Sequence, residues 1–174
     1  TRLQQVRFAP MHLAVIIAAA GGSTRFGVGD KLSQDLGGRP ILLRAVEAFV
    51  KRDETETLVV TAPPDDIDGF KDRYGAQLSF HGAKIVPGGR RERWESVRNA
   101  LEAIPEEATH VAIHDAARPN VTPELLDRVL DAARVHDAVI PATRVRSTLK
   151  RVGEETVKSA QADAIADALL GDID

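Results

Sequence analysis

The sequence predicts an α/β fold, a mostly parallel sheet with helices on both faces, from three observations. Short apolar runs alternate with stretches whose apolar residues recur at helical spacing. The apolar runs read as strands buried on both sides, the pattern of a parallel sheet. Breaks and caps separate the segments: Pro40, Pro63-Pro64, Gly75, Pro105 and Thr122-Pro123. Right-handed crossovers between such strands give a Rossmann-like, doubly wound domain.

Each element follows from local signals. Residues 13–19 form the first strand. Residues 40–50 read as a helix, with Pro40 near its start. A second strand over 58–62 ends at Pro63-Pro64. Residues 66–74 predict a helix with Gly75 as its stop, and 84–86 a short strand. A helix over 93–104 is broken by Pro105. The strand over 111–114 is followed by a helix over 123–135, with Thr122 as N-cap and Pro123 at its first position. Residues 138–141 predict a further strand. No repeat, low-complexity tract or linker is visible.

The chain has 174 residues, 43% of them hydrophobic and 28% charged, which suits one soluble domain with a real core. A net charge of −3 gives no global basic field for nucleic acid. The absence of cysteine excludes disulfides and thiolate metal sites and fits a reducing cytoplasm. No apolar run approaches a membrane span. Residues 1–12 are polar at their start, hold no signal-peptide core, and read as an N-terminal extension to a single domain over 13–174.

Two motifs carry chemistry. His114-Asp115-Ala116-Ala117-Arg118-Pro119 begins where a strand ends and a loop starts. In open α/β sheets ligands bind outside the carboxyl ends of the strands. There Asp115 can hold a divalent cation, and Arg118 can meet a phosphate or fix the loop. His114, ending a buried strand, reads as a structural residue without a catalytic role. The second motif opens after the first strand, from Ala19-Ala20-Gly21 through Gly22, Ser23 and Arg25 to Lys31. A Gly-rich, basic loop suits a polyphosphate, because glycine lets backbone N–H groups approach the oxygens. The same composition also makes an ordinary turn. The spacing is neither that of a P-loop nor that of the dinucleotide fingerprint. Near Gly88-Gly89, Arg90, Arg91, Arg93 and Arg98 crowd a predicted helix start, which is unfavourable against the helix dipole without an anion nearby.

Taken together, Ala19-Ala20-Gly21 with Arg25 and Lys31, then Gly-Gly and the Arg93-x-x-Ser96-Val97 stretch, then the His-Asp-Ala-Ala-Arg-Pro hexapeptide resemble the 2-C-methyl-D-erythritol 4-phosphate cytidylyltransferases of the non-mevalonate isoprenoid pathway. The resemblance runs in order from about Leu13 to Lys150. Close relatives that act on ribitol phosphate usually carry Val where this chain has Ala117. The resemblance implies a nucleotidyltransferase-type sheet with a protruding β-arm over about 143–156, and transfer of CMP from CTP to methylerythritol phosphate with release of pyrophosphate. It implies Arg25 and Lys31 as the catalytic cations, and Ala19, Ala20, Gly21 and Ser23 around the nucleotide. Gly89, Arg93 and Ser96 would surround cytosine and ribose, with Ser96 bonding the base. Lys158 would touch the triphosphate, Asp115 would hold Mg²⁺, and Arg118 and Thr148 would meet the second substrate. Thr148 would be supplied across a homodimer.

The chain departs from the pattern in four places. Asp30 stands before Lys31 where the family has Pro, so a carboxylate neighbours the ammonium. One extra residue separates Gly-Gly from Ser-Val, which leaves the glycine register open. Ser147 replaces the Asp before Thr148. A family segment is expected to be missing near 153–156, whereas 156–170 resembles the family's C-terminal end. The readings that compete with the cytidylyltransferase are a ribitol-phosphate or sugar-phosphate nucleotidyltransferase of the same fold, and a nucleotide-binding protein without catalysis.

Overall fold

The computed structural model describes residues 10–21, 30–144 and 146. The chain divides into two units, Thr1–Pro141 and Ala142–Asp174, and every element named below belongs to the first. Strands β1 (Leu13–Ala18), β2 (Thr55–Ala62), β3 (Lys84–Pro87) and β4 (His110–Asp115) alternate with helices α1 (Ile41–Val50), α2 (Ile67–Phe80), α3 (Arg93–Leu101) and α4 (Pro123–Ala133). A 3₁₀ turn, Lys31–Ser33, precedes α1. Among the described residues the sheet is parallel throughout, in the order β3-β2-β1-β4. The strand order therefore reverses between β1 and β4, and the carboxyl ends of those strands form the crevice where α/β sheets take ligands.

Burial explains the continuous apolar runs of β1 and β2, whereas β4 is not buried on both sides: Val111 and Ile113 are 42% and 47% exposed. Leu13, Val15 and Ile17 of β1 pack with Leu58 and Val60 of β2 against α1, α2 and α4 in one core. Ile16 and Val59 point the other way, against Ala100 and Val97 of α3. Five of the six β1 residues are buried, because both faces of this central strand are covered. Met11 joins the larger core, and His12 and Thr109 exchange hydrogen bonds beside the start of β1. Thr122 caps α4 as the sequence implies, accepting from Leu125 N–H at 3.2 Å.

Two helix ends and one expected strand differ from the sequence reading for identifiable reasons. Gly75 does not end α2, which continues to Phe80. Phe70, Tyr74 and Leu78 are all buried at helical spacing, and that packing carries the helix through the glycine. The stop is Gly82, at φ +71°, in the left-handed region that glycine enters without steric cost. The predicted helix over 93–104 ends at Leu101, and its last turn tightens into i→i+3 bonds, Ala103 to Ala100 and Ile104 to Leu101. Residues 138–141 form no strand; Ile140 is 88% exposed. β4 pairs only with β1 among the described residues, and the run 138–141 does not take up its open edge; Pro141 has no N–H to donate to a ladder. The predicted arm over 143–156 lies almost wholly outside the described residues.

Candidate active site

The sheet register fixes the site. Ala18 of β1 is paired with Asp115 of β4, and Ala116 N–H continues the ladder to the Ala18 carbonyl at 3.1 Å. The hexapeptide then turns sharply, with Arg118 N–H bonding the Asp115 carbonyl at 3.0 Å. His114 closes this turn. Its Nε2 donates to the Arg118 carbonyl at 2.9 Å, and its ring lies 5.1 Å from that of Phe49. A carbonyl only accepts, so the proton resides on Nε2. Burial lowers the pKa of His114, outweighing the carbonyl bond and the charge of Asp115. A neutral imidazole bonded to the backbone of its own loop fits the structural role the sequence implies.

Asp115 is held by two guanidinium groups. Arg93 reaches Oδ1 through Nη2 at 2.8 Å and Nε at 3.1 Å, and Arg118 Nε reaches Oδ2 at 2.9 Å. Burial opposes ionisation of this carboxyl. The hydrogen bond from Arg93 and the charges of Arg93 and Arg118 outweigh it and hold the pKa below the ordinary carboxylate value. Asp115 is therefore a carboxylate throughout the neutral range.

The start of α3 forms the opposite wall. Glu92 is its N-cap in a reciprocal capping box with Glu95, whose Oε2 accepts from the N–H groups of Arg91 and Glu92. Those backbone bonds keep Glu95 below its ordinary pKa. The crowd of arginines at a helix start is thus answered by the protein's own anions: Arg93 on Asp115, and Arg90 on Asp65. Arg98 lies over the ring of Trp94 at 5.2 Å.

Neither glycine before α3 has room for a side chain, and a Cβ on Gly89 would fall 2.2 Å from Glu95 Cβ. A Cβ on Gly88 would fall 2.1 Å from Ala20 Cβ and 2.8 Å from Ser96 Oγ, so this residue must be glycine for β1 and β3 to end together. Gly89 faces the cavity and donates its N–H to Ser96 Oγ at 2.8 Å. Ser96 is buried and keeps its hydroxyl proton for a further acceptor.

A cavity of about 690 Å³ opens between these walls. It gathers Ala19, Ala20, Gly21, Lys31, Gly89, Arg93, Ser96, Asp115 and Arg118, all of them candidates from the sequence. Ser23, Arg25, Thr148 and Lys158 lie outside the described residues. Ala18, Leu32, Thr61 and Glu92, which the sequence reading did not single out, also line it, as do Arg90, Arg91, Ala116 and Ala117 from its motifs. Thr61 is fully buried, and its hydroxyl accepts from Ala19 N–H at 3.1 Å, pinning the exit of β1. Nothing in a local window announces that bond, which joins residues of two different strands. Asp30 caps the turn that carries Lys31, its Oδ1 accepting from Leu32 N–H at 2.9 Å. Its Oδ2 accepts from Tyr74 OH at 2.6 Å and lies 3.6 Å from Arg73 Nε.

The donor set bears on which metal would suit the cavity. Among the described residues no group of three His, Cys, Asp or Glu converges, so a soft or fully protein-caged ion has no seat. Asp115 is one hard, ionised oxygen donor with each oxygen engaged by a single arginine, and a carboxylate has further lone pairs on both. That fits Mg²⁺, which takes one or two carboxylates and completes its shell with phosphate oxygens and water. No helix among the described residues is long and apolar enough to cross a membrane.

Comparison with known proteins gives a consistent result. The family model of 2-C-methyl-D-erythritol 4-phosphate cytidylyltransferase matches residues 13–165. A protein of that name from Frankia casuarinae is 41% identical over 143 residues, covering 81% of this chain and 52% of the relative. Its counterpart from Streptomyces coelicolor is 40% identical over 147 residues, covering 82% and 54%. The chain thus spans about half the length of the curated relatives it matches. The crystal structure of 4-diphosphocytidyl-2C-methyl-D-erythritol synthase from Anaerococcus prevotii superposes with a TM-score of 0.69 at 26% identity, covering 84% of this chain and 61% of that one. The bifunctional IspDF of Campylobacter jejuni gives 0.67 at 30% identity, covering 80% and 35%.

Proposed function

The chain belongs to the 2-C-methyl-D-erythritol 4-phosphate cytidylyltransferase family, and from that premise we propose that its cavity transfers a cytidylyl group from CTP to 2-C-methyl-D-erythritol 4-phosphate. The observation that carries the proposal is the meeting of Lys31, Arg93 and Arg118 with Asp115 in one cavity at the switch between β1 and β4. Three cations and one ionised carboxylate suit a metal-bound polyphosphate.

In the proposed reaction a phosphate oxygen of methylerythritol phosphate attacks the α-phosphorus of CTP. The bond between that phosphorus and the bridging oxygen of pyrophosphate breaks, and pyrophosphate leaves with the electron pair. Such transfers depend on positioning and charge neutralisation. Lys31 acts as a fixed positive charge on the α-phosphate, with Arg25 as its expected counterpart. Gly89 and Ser96 would edge the base and ribose, and Arg118 would meet the phosphate of the second substrate. Asp115 would hold Mg²⁺, which when bound neutralises phosphate charge and orients the triphosphate. Thr148 in trans within a homodimer, Lys158 on the triphosphate, and a cytoplasmic location complete the reading.

The test is pyrophosphate release from CTP with and without Mg²⁺, with methylerythritol phosphate or ribitol 5-phosphate as acceptor. Mg²⁺-dependent release that prefers methylerythritol phosphate supports the proposal. Equal or faster turnover of ribitol 5-phosphate moves the substrate to the related class. CTP binding without release leaves a nucleotide-binding protein.

A further inference from the structure

We propose that Tyr74, Asp30 and Arg73 form a latch that fixes Lys31 in place for the transfer step, which makes Tyr74 and Asp30 positioning residues. The inference rests on the reading of Lys31 as the cation of the reacting phosphate.

Lys31 is the first residue of a three-residue 3₁₀ turn. So short a turn has little stability of its own, and it must be held from outside. Its holding point is Asp30. Ser33 secures the Asp30 carbonyl from below, through its N–H at 3.1 Å and its hydroxyl at 2.7 Å. The Asp30 carboxylate is shared between the turn and the body of the protein. Oδ1 accepts from Leu32 N–H at 2.9 Å, and Oδ2 accepts from Tyr74 OH at 2.6 Å.

Tyr74 belongs to the core. It is 3% exposed, and its ring lies 4.9 Å from that of Phe70. Phenylalanine would fill the same space there, so packing gives no reason for the hydroxyl. The bond to Asp30 does. Burial and the neighbouring carboxylate both raise the phenol's pKa, which keeps it a donor. Arg73 completes the cluster: it approaches Oδ2 of Asp30 at 3.6 Å, bonds Oδ2 of Asp66 at 2.8 Å, and lies over the Tyr74 ring. Rigid α2 thus reaches through one phenol to the turn that presents Lys31 to the cavity. A catalytic charge misplaced by an ångström loses up to about a hundredfold in rate, so releasing the latch acts on the rate of transfer more than on nucleotide affinity.

The experiment compares wild type, Tyr74→Phe, Lys31→Ala and the double variant in pyrophosphate release from CTP and methylerythritol phosphate. Tyr74→Phe is expected to lower kcat about tenfold with KM for CTP within about twofold. In the Lys31→Ala background the same change is expected to do nothing further, because the group being positioned is gone. Asp30→Asn repeats the test outside the core. It keeps an acceptor for Leu32 N–H, loses the one facing the Tyr74 hydroxyl, and is expected to lose rate by the same factor. An unchanged kcat in Tyr74→Phe, or a loss that multiplies with that of Lys31→Ala, overturns the latch and leaves Lys31 as proposed. A wild-type kcat in Lys31→Ala overturns both.

Discussion

At Asp115 and Lys31 the proposed chemistry depends on single charges. Lys31 is useful only if its charge counts more in the transition state than in the bound substrate. Lys31→Ala should then cut kcat by roughly a hundredfold or more, with little change in KM, measured by steady-state pyrophosphate release. An unchanged kcat would reduce it to an ordinary surface lysine. Asp115 balances Arg93 and Arg118. Asp115→Asn keeps the side chain's size but loses the charge and one of the two acceptors, leaving one arginine facing an amide NH₂. The expected result is a preserved fold by circular dichroism and a much higher Mg²⁺ concentration for half-maximal activity. Unfolding of this variant, together with Mg²⁺-independent wild-type activity, would make Asp115 a structural brace.

Among the elements, the loop after β4 depends on a neutral histidine. His114 has its pKa lowered by burial, from an ordinary value of 6.5. The unfolded chain therefore takes up the proton first as pH falls. Stability from this residue is complete above about 6.5 and declines as pH drops below it toward the depressed folded value. Thermal melts of wild type between pH 7.5 and 5, in steps of about half a unit, should show this decline, and His114→Asn should lack that component. Parallel curves for the two proteins would mean His114 titrates alike in both states. The strands were legible because a central parallel strand is apolar on both sides, and β1 reads that way letter by letter. Helix ends were less so. Gly75 looks like a stop, yet Tyr74 and Leu78 pack well enough to carry α2 past it. The run 138–141 looks like a strand, but pairing is a property of neighbours, and among the described residues the run does not join the open edge of β4.

For the molecule as a whole, the site was legible where one motif holds its chemistry and hidden where distant residues meet. The hexapeptide, Lys31 and the Gly-Gly stretch each announce themselves, and the sheet brings them to one cavity. The Arg93–Asp115 and Tyr74–Asp30 bonds join residues 22 and 44 positions apart, and only the register of β1 against β4 and the packing of α2 create them. A homodimer is the expected assembly, because a short β-arm over 143–156 would be barely stable by itself. Light scattering at micromolar concentration should return twice the chain mass of 18.8 kDa, and a fully active monomer would remove Thr148 as a residue supplied in trans. The proposed reaction is defined by the bond made at the α-phosphorus of CTP. Phosphorus NMR of the protein with CTP, Mg²⁺ and methylerythritol phosphate follows that atom directly. With cytidylyl transfer the α-phosphorus signal converts to that of a cytidine diphosphate diester as pyrophosphate appears in equal amount; CTP signals that stay unchanged, or yield only CMP and pyrophosphate, would rule the transfer out.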